Sequence, residues 1–215
     1  MTREGALNSL GDHQLEGIQR ALAAHIPNIA PSREATRNAA VAMVISDIED
    51  RGLSALFIKR AEHPDDPWSG QMAFPGGRYE PYDKSLDAAA RRETLEEVGL
   101  ELSEDMLIGR LGDVTGGRLS VHKLAVSAFV FHHPGPFELK PNYEVAATVW
   151  VPLSHLGDPA MIRPYVFSKD PSKREFPSWV YEGYTIWGLT YRIVASYLRL
   201  FGVEIPGEVE VTDVE

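Results

Sequence analysis

The chain has no cysteine. That absence removes disulfides, thiolate metal sites and a cysteine nucleophile together, and it fits a reducing compartment. No apolar run approaches the roughly 20 residues of a membrane-spanning helix. The first residues, MTREGALNSLGDHQ, lack the apolar core of a secretory signal, and Glu4 and Asp12 argue against a mitochondrial presequence. The expectation is a cytoplasmic protein with no membrane partner. Positive charge is also short. Lys and Arg number 21 against 31 Asp and Glu, for a net charge of -10. A surface of that sign repels a phosphate backbone, so nucleic acid is not an expected partner. A small polyanion is repelled too, unless a bound cation and a few placed Arg and Lys compensate locally.

What is present is an ordinary globular composition, 44% hydrophobic and 24% charged over 215 residues. That length suits one α/β domain. Residues 12–25 carry Leu15, Ile18, Leu22 and Ala23 at helical spacing, with Asp12 as N-cap and Pro27 as stop. A Pro- and Arg-containing linker follows over 28–37. The runs AAVAMVIS (39–46) and LSALFIKR (53–60) read as a strand hairpin across an Asp- and Gly-rich turn. Lys59 reads as a charged strand end, whereas Arg60 leads into the next loop and is a candidate for phosphate or substrate contact. Further strands are expected at 72–74, 107–114, 121–132 and 144–153, and a closing helix at 187–201. Between them, 154–183 interleaves Lys169, Lys173 and Arg174 with Phe167, Phe176 and Trp179. That mixture suits either a nucleotide base with its phosphates or a surface loop over the core. The pattern predicts an α/β fold: a mixed sheet between helices. It divides into an N-terminal helix and linker (1–36), one domain (37–202) and an acidic tail (203–215).

One stretch demands chemistry. Phe74 to Leu100 reads FPGGRYEPYDKSLDAAARRETLEEVGL. A helix over about 85–98 is predicted, capped by Asp83 or Ser85 and ended by Gly99. Glu93, Glu96 and Glu97 share one face of it. Three carboxylates that close repel one another, and a multivalent cation with oxygen ligands resolves the repulsion. Arg92 is placed to hold a carboxylate in one rotamer. Ala88, Leu95 and Val98 are expected on the packing face. A solvated acidic face is the plainer reading of E-x-x-E-E alone. The Pro75-Gly76-Gly77 turn beside it, able to bring a bare backbone carbonyl to a ligand, shifts the balance.

These residues resemble the Nudix box, G-x5-E-x7-R-E-U-x-E-E-x-G-U with U aliphatic. Gly77, Arg92-Glu93, Glu96-Glu97, Gly99 and Leu100 match it. The spacing from Gly77 to Arg92 is one residue longer, Thr94 replaces an aliphatic residue, and the first glutamate falls at Asp83 or Lys84. The resemblance implies a Nudix-like α/β/α sandwich. It implies Mg²⁺ or Mn²⁺ held by Glu93, Glu96 and Glu97, with the Gly76 carbonyl as a further ligand and Arg92 orienting Glu93. Arg60, Gly77 and Arg78 become substrate-binding candidates. The substrate would be a nucleoside diphosphate linked to another moiety. The cation neutralises the diphosphate and acidifies a water, which attacks phosphorus and breaks the P–O–P bridge. Glu144, ahead of Trp150-Val151-Pro152-Leu153, is the candidate base, and Glu97 the alternative.

A closer resemblance is to the coenzyme A pyrophosphatase branch. Leu56, Phe57, Arg60, Ala61, Gly70 and Phe74-Pro75-Gly76-Gly77 fit its upstream motif. Its second arginine is missing; Asp65 stands there, and Asp65-Asp66 would repel the 3′-phosphate of coenzyme A. A coenzyme A-like substrate is favoured, with a nucleoside diphosphate sugar or ADP-ribose as the alternative. A non-catalytic nucleotide-binding module is the reading from another class, and the intact glutamates argue against it. An isomerase on the same fold would need the cysteine this chain lacks. The N-terminal helix and the tail leave a homodimer open.

Overall fold

The computed structural model describes residues 15–30, 37–64, 66, 68–116, 124–135, 137–167 and 174–205. Asp12, Asp65, Gly117 and Arg118 of the expected turn, Lys169, Lys173 and the tail from Pro206 lie outside the described residues. Helix α1 spans Leu15–Ala24, with Ile18 and Leu22 as its buried residues. Ala23, expected on the apolar face, is exposed. Leu22 fits where Gly109 has no side chain; a Cβ there would stand 2.7 Å from Leu22 Cβ.

Strands β1 (Arg37–Ile48) and β2 (Gly52–Arg60) form the hairpin, pairing Ile45 with Ala55 and Ile48 with Gly52. Toward the other end they part. β3 (Met72–Ala73) pairs with the end of β2, and β4 (Gly76–Arg78) with the start of β1. β5 (Leu107–Gly116), β6 (Leu124–His132) and β7 (Val145–Pro152) complete seven strands. β6 runs parallel to β1 and the other pairings are antiparallel, so the sheet is mixed. Alternation along β2 shows its two faces. Ala55 and Phe57 join one apolar cluster, which contains Ile18 and Leu22 of α1 and Tyr191 to Ala195 of helix α4 (Gly188–Arg199). Leu56 and Ile58 join the other, under Ala89, Ala90 and Val98 of helix α2 (Leu86–Val98). The sheet is therefore layered between helices.

The described residues between 154 and 183 hold more order than their sequence suggests. After a four-residue helix α3 (Leu153–Leu156), strands β8 (Ile162–Val166), β9 (Glu175–Tyr181) and β10 (Tyr184–Ile186) form a second, antiparallel sheet. Glu182 and Gly183 both take positive φ, 48° and 83°, as a tight two-residue hairpin turn requires. Trp179 is fully buried and stacks on Tyr191 with ring centres 4.4 Å apart, so it is a core residue. Val203 is buried and Ile205 packs on the same cluster, so the chain stays with the body beyond the expected start of the tail.

The turn between β3 and β4 is tight enough to test. Gly76 has φ 152°, and a Cβ there would stand 2.6 Å from Val41 Cα and 2.8 Å from Val41 Cγ1. Both lie on a central strand that cannot step aside. Gly76→Ala is expected to destabilise the fold by about 1–3 kcal/mol, read as a lower urea midpoint at unchanged slope. An unchanged midpoint would show that the strand yields.

Candidate active site

Helix α2 begins and ends as its sequence predicts. Ser85 Oγ accepts from Ala88 N at 3.3 Å, and Gly99, at φ 68°, donates its N–H to Leu95 O. Of the expected packing face, Val98 is buried, Ala88 is half-buried and Leu95 is 50% exposed. The buried side consists of Ala89, Ala90, Thr94, Glu97 and Val98. Positions 90, 94 and 97 succeed one another at helical spacing, so the stripe that meets the sheet passes through Thr94 and a glutamate. Thr94 replaces the aliphatic residue without an orphaned hydroxyl, since Oγ1 donates to Ala90 O at 2.7 Å. The three glutamates are therefore unequal. Glu97 is 2% exposed, the Glu93 side chain is mostly buried, and the Glu96 side chain is 55% exposed.

Arg92 is the hub. Its Nε donates to Asp83 Oδ1 at 2.9 Å and its Nη2 to Asp83 Oδ2 at 3.0 Å. Nη1 donates to Glu93 Oε1 at 2.9 Å and to Glu96 Oε2 at 3.2 Å, and Nη2 also reaches Arg78 O at 3.0 Å. Asp83 thus does not cap the helix. It is a buried anchor for the guanidinium, and it also accepts Glu80 N at 2.8 Å. The Arg92 hydrogen bonds hold its carboxyl below the usual range. Lys84, the other position considered for the first glutamate, is exposed. Arg78 contributes its carbonyl here, and the residue itself is exposed.

The glycines make room for carboxylates. A Cβ on Gly77 would collide with the Glu93 carboxylate, with Oε2 only 2.7 Å away. Gly76 N donates to Glu97 Oε2 at 2.9 Å. Because Ala42 N donates to Pro75 O, the facing pair Val41–Gly76 falls where antiparallel strands exchange no bond. That register leaves the Gly76 carbonyl outside the β1 ladder.

Glu144 arrives from a loop docked on the end of α2. Lys140 N donates to Val98 O at 2.7 Å and Asn142 N to Glu97 O at 2.8 Å, which satisfies helix carbonyls that have no intrahelical partner. Asn142 Oδ1 accepts Glu144 N at 2.8 Å, and Glu144 O accepts Ala61 N at 2.7 Å. Glu144 is exposed, yet its charge acts on both Glu93 and Glu97. Asn142 was not legible as a positioning residue; its only signal is an Asn two residues before the glutamate that opens a strand. Arg60 points Nε and Nη2 at Asp66 Oδ2, at 2.9 and 2.7 Å, and its field reaches Glu97.

The electrostatic result is a strained acid cluster. Burial pushes the Glu97 carboxyl up to about 8. Glu93 and Glu144 push the same way, against the Gly76 N–H and Arg60. Burial also raises Glu93, against Arg92. Among the described residues, no three His, Cys, Asp or Glu side chains converge on a common ion position. Arg92 and the Gly76 N–H hold the glutamates in these directions. The structure thus gathers Arg60, Gly76, Gly77, Arg92, Glu93, Glu96, Glu97 and Glu144, with Arg78 reaching the group through its carbonyl.

The NUDIX domain family model matches residues 36–175. The uncharacterized protein C14C4.10c of Schizosaccharomyces pombe is 32% identical over 187 residues, which cover 77% of this chain and 56% of that protein. The chain thus spans little more than half of that relative's length. The uncharacterized Nudix hydrolase NudL of Enterobacter sp. strain 638 is 32% identical over 172 residues, covering 78% of this chain and 84% of that one. A solved MutT/nudix family protein from Enterococcus faecalis superposes with a TM-score of 0.49 at 15% identity, over 87% of this chain and 63% of that one.

Two measurements follow from the cluster. Without divalent cations, Glu97 keeps its proton to about pH 8 in the folded chain, against its ordinary 4.5 when unfolded. Between those values the folded state binds more protons, so stability falls as pH rises from about 4.5 to about 8. Melting in EDTA should show Tm declining across that window, and Glu97→Gln should flatten the decline. An equal slope in the variant would remove Glu97 as its source. Asp83→Asn keeps the shape but leaves Arg92 without its charged anchor; a loss of roughly 1–3 kcal/mol is expected, read by urea denaturation.

Proposed function

The chain belongs to the Nudix family, and on that premise we propose that it hydrolyses the diphosphate of a nucleoside diphosphate linked to a second group. The observation that carries this reading is the Glu97 carboxylate, whose ionisation is opposed by burial and by the charges of Glu93 and Glu144, held by Gly76 N–H beside Gly77. The donor set suits a hard divalent cation: carboxylate oxygens whose mutual repulsion an ion relieves, plus a carbonyl outside the strand ladder. Glu93, Glu96, Glu97 and the Gly76 carbonyl would hold Mg²⁺ or Mn²⁺. When bound, the ion supplies charge neutralisation at the diphosphate oxygens and acidification of a nearby water.

The chain's own residues supply the rest. Arg92, fixed by Asp83, orients Glu93 and reaches Glu96. Glu144, exposed at the edge of the cluster, takes the proton from the attacking water. A new O–P bond forms as the bridging P–O bond breaks, and the leaving phosphate departs with the bridging electrons. Arg60 faces the incoming phosphates once it exchanges Asp66 for them. The favoured substrate is coenzyme A-like, on the upstream motif from Leu56 to Gly77. The Asp66 carboxylate already seated on Arg60 favours a second reading, a nucleoside diphosphate sugar or ADP-ribose, because an acid there disfavours an extra phosphate.

Glu96→Gln and Glu97→Gln should each abolish Mg²⁺-dependent hydrolysis, with circular dichroism unchanged. Products are to be identified by mass from coenzyme A, nucleoside diphosphate sugars, ADP-ribose, dinucleotides and nucleoside triphosphates. Release of 3′,5′-ADP and phosphopantetheine would establish the coenzyme A reading. Turnover unaffected in both variants, or tight binding with no product in Mn²⁺, would overturn the hydrolase.

A further inference from the structure

The small sheet, the end of β2 and the loop before β3 border a half-open cavity of about 330 Å³. It lies apart from the glutamates. Lys59 and Arg60 are consecutive in β2, and consecutive strand side chains leave opposite faces. Arg60 acts on Glu97, whereas Lys59 lines the cavity. One wall is aromatic. Tyr165 and Phe167 meet Trp187 with ring centres 4.9 and 4.8 Å away, and Tyr184 continues the wall. Phe176 supports Trp187 at 5.4 Å. On the other side, Gln71 lines the cavity and Ser69 Oγ donates to one carboxylate oxygen of Glu62, the one acid of the lining, at 2.8 Å. Lys59 has no ion pair among the described residues. Rings and an unpaired ammonium in one cleft are the complement of a nucleotide: the base stacks on the rings and the cation meets a phosphate. The volume and the position between two sheets suit a small-molecule site. In a chain of net charge -10, a phosphate-bearing ligand needs such a local cation.

Resting on the hydrolase reading, we propose that this cavity recognises the base of the substrate's nucleoside half, with Lys59 on a phosphate. The diphosphate then rounds the end of β2 past Arg60 to the glutamates. Lys59, which reads as a plain strand end in the sequence, becomes a specificity residue. Part of the interleaved basic and aromatic segment gains a role: Phe167 in the wall and Phe176 behind it.

The test is calorimetric titration of AMP into the full chain in EDTA, with kinetics on ADP-ribose in Mg²⁺. Lys59→Ala and Tyr165→Ala should each weaken AMP about tenfold or more, as loss of a stacking or phosphate contact does. Tyr165→Phe, which keeps the ring, should bind AMP like the parent. Ribose 5-phosphate, lacking the base, should bind at least about tenfold more weakly than AMP. In kinetics the two alanine variants should raise KM and leave kcat within about twofold. AMP affinity unchanged in both, ribose 5-phosphate equal to AMP, or 4′-phosphopantetheine displacing AMP would overturn the inference. Lys59-dependent AMP binding without hydrolysis of any diphosphate would support the pocket and sink the hydrolase. Hydrolysis with KM unchanged in both alanine variants would sink the pocket alone.

Discussion

The hydrogen bond from Gly76 N to Glu97 Oε2 is the contact on which the rest of the site depends. It puts a carboxylate inside the sheet–helix interface, where burial opposes ionisation more strongly than one N–H and the Arg60 field favour it. A fold gains nothing from such a group by itself. The same contact ties the first residue of β4 to the last turn of α2. It therefore sets the height at which Glu93, one turn earlier, meets Gly77. Each glycine answers one glutamate: Gly76 by its donor, Gly77 by the space it leaves.

Arg92 serves the acid cluster in a different way. It spans three carboxylates, but its bidentate partner is Asp83, which stands outside the set of proposed ligands. A bidentate pair with a buried carboxylate fixes the guanidinium plane. The remaining N–H donors then hold Glu93 and Glu96 in stated directions instead of floating among the acids. The cluster is thus partly neutralised by a group that is itself immobilised, and the balance is left for a cation.

Much of this was legible in the sequence, and the parts that were not share a cause. Element order, the hairpin, both ends of α2 and the grouping of Arg92 with the glutamates follow from periodicity, capping residues and spacing. The packing face of α2 did so only in part: Val98 is buried as expected, but hydrophobicity selects Leu95 where the structure selects Glu97. A residue buried for chemistry breaks the pattern from which burial is read. Asp83 looked like a cap because Asp before a helix usually is one, and only the fold shows Arg92 reaching back to it. Asn142 acts through backbone contacts that leave almost no mark on composition. The small sheet was missed because its strands are short and Pro164 and Pro177 interrupt them, which argues against strand in a single sequence.

The pairing at the end of β2 explains why Lys59 and Arg60 diverge. At its far end β2 is hydrogen-bonded on both edges, by β3 and β7, so its last residues cannot twist to present both cations on one face. The pairing shift between Lys59 and Arg60 falls at this point, where the strand yields to the 61–71 loop. Arg60 is kept with the acids, and Lys59 is sent beneath the aromatic wall that β8 and the residues after β10 bring over it. A strand end that would otherwise be a bare basic edge is divided between the two faces of the sheet. Against a net charge of -10, Arg60 already holds the Asp66 carboxylate, while Lys59 has no ion pair among the described residues.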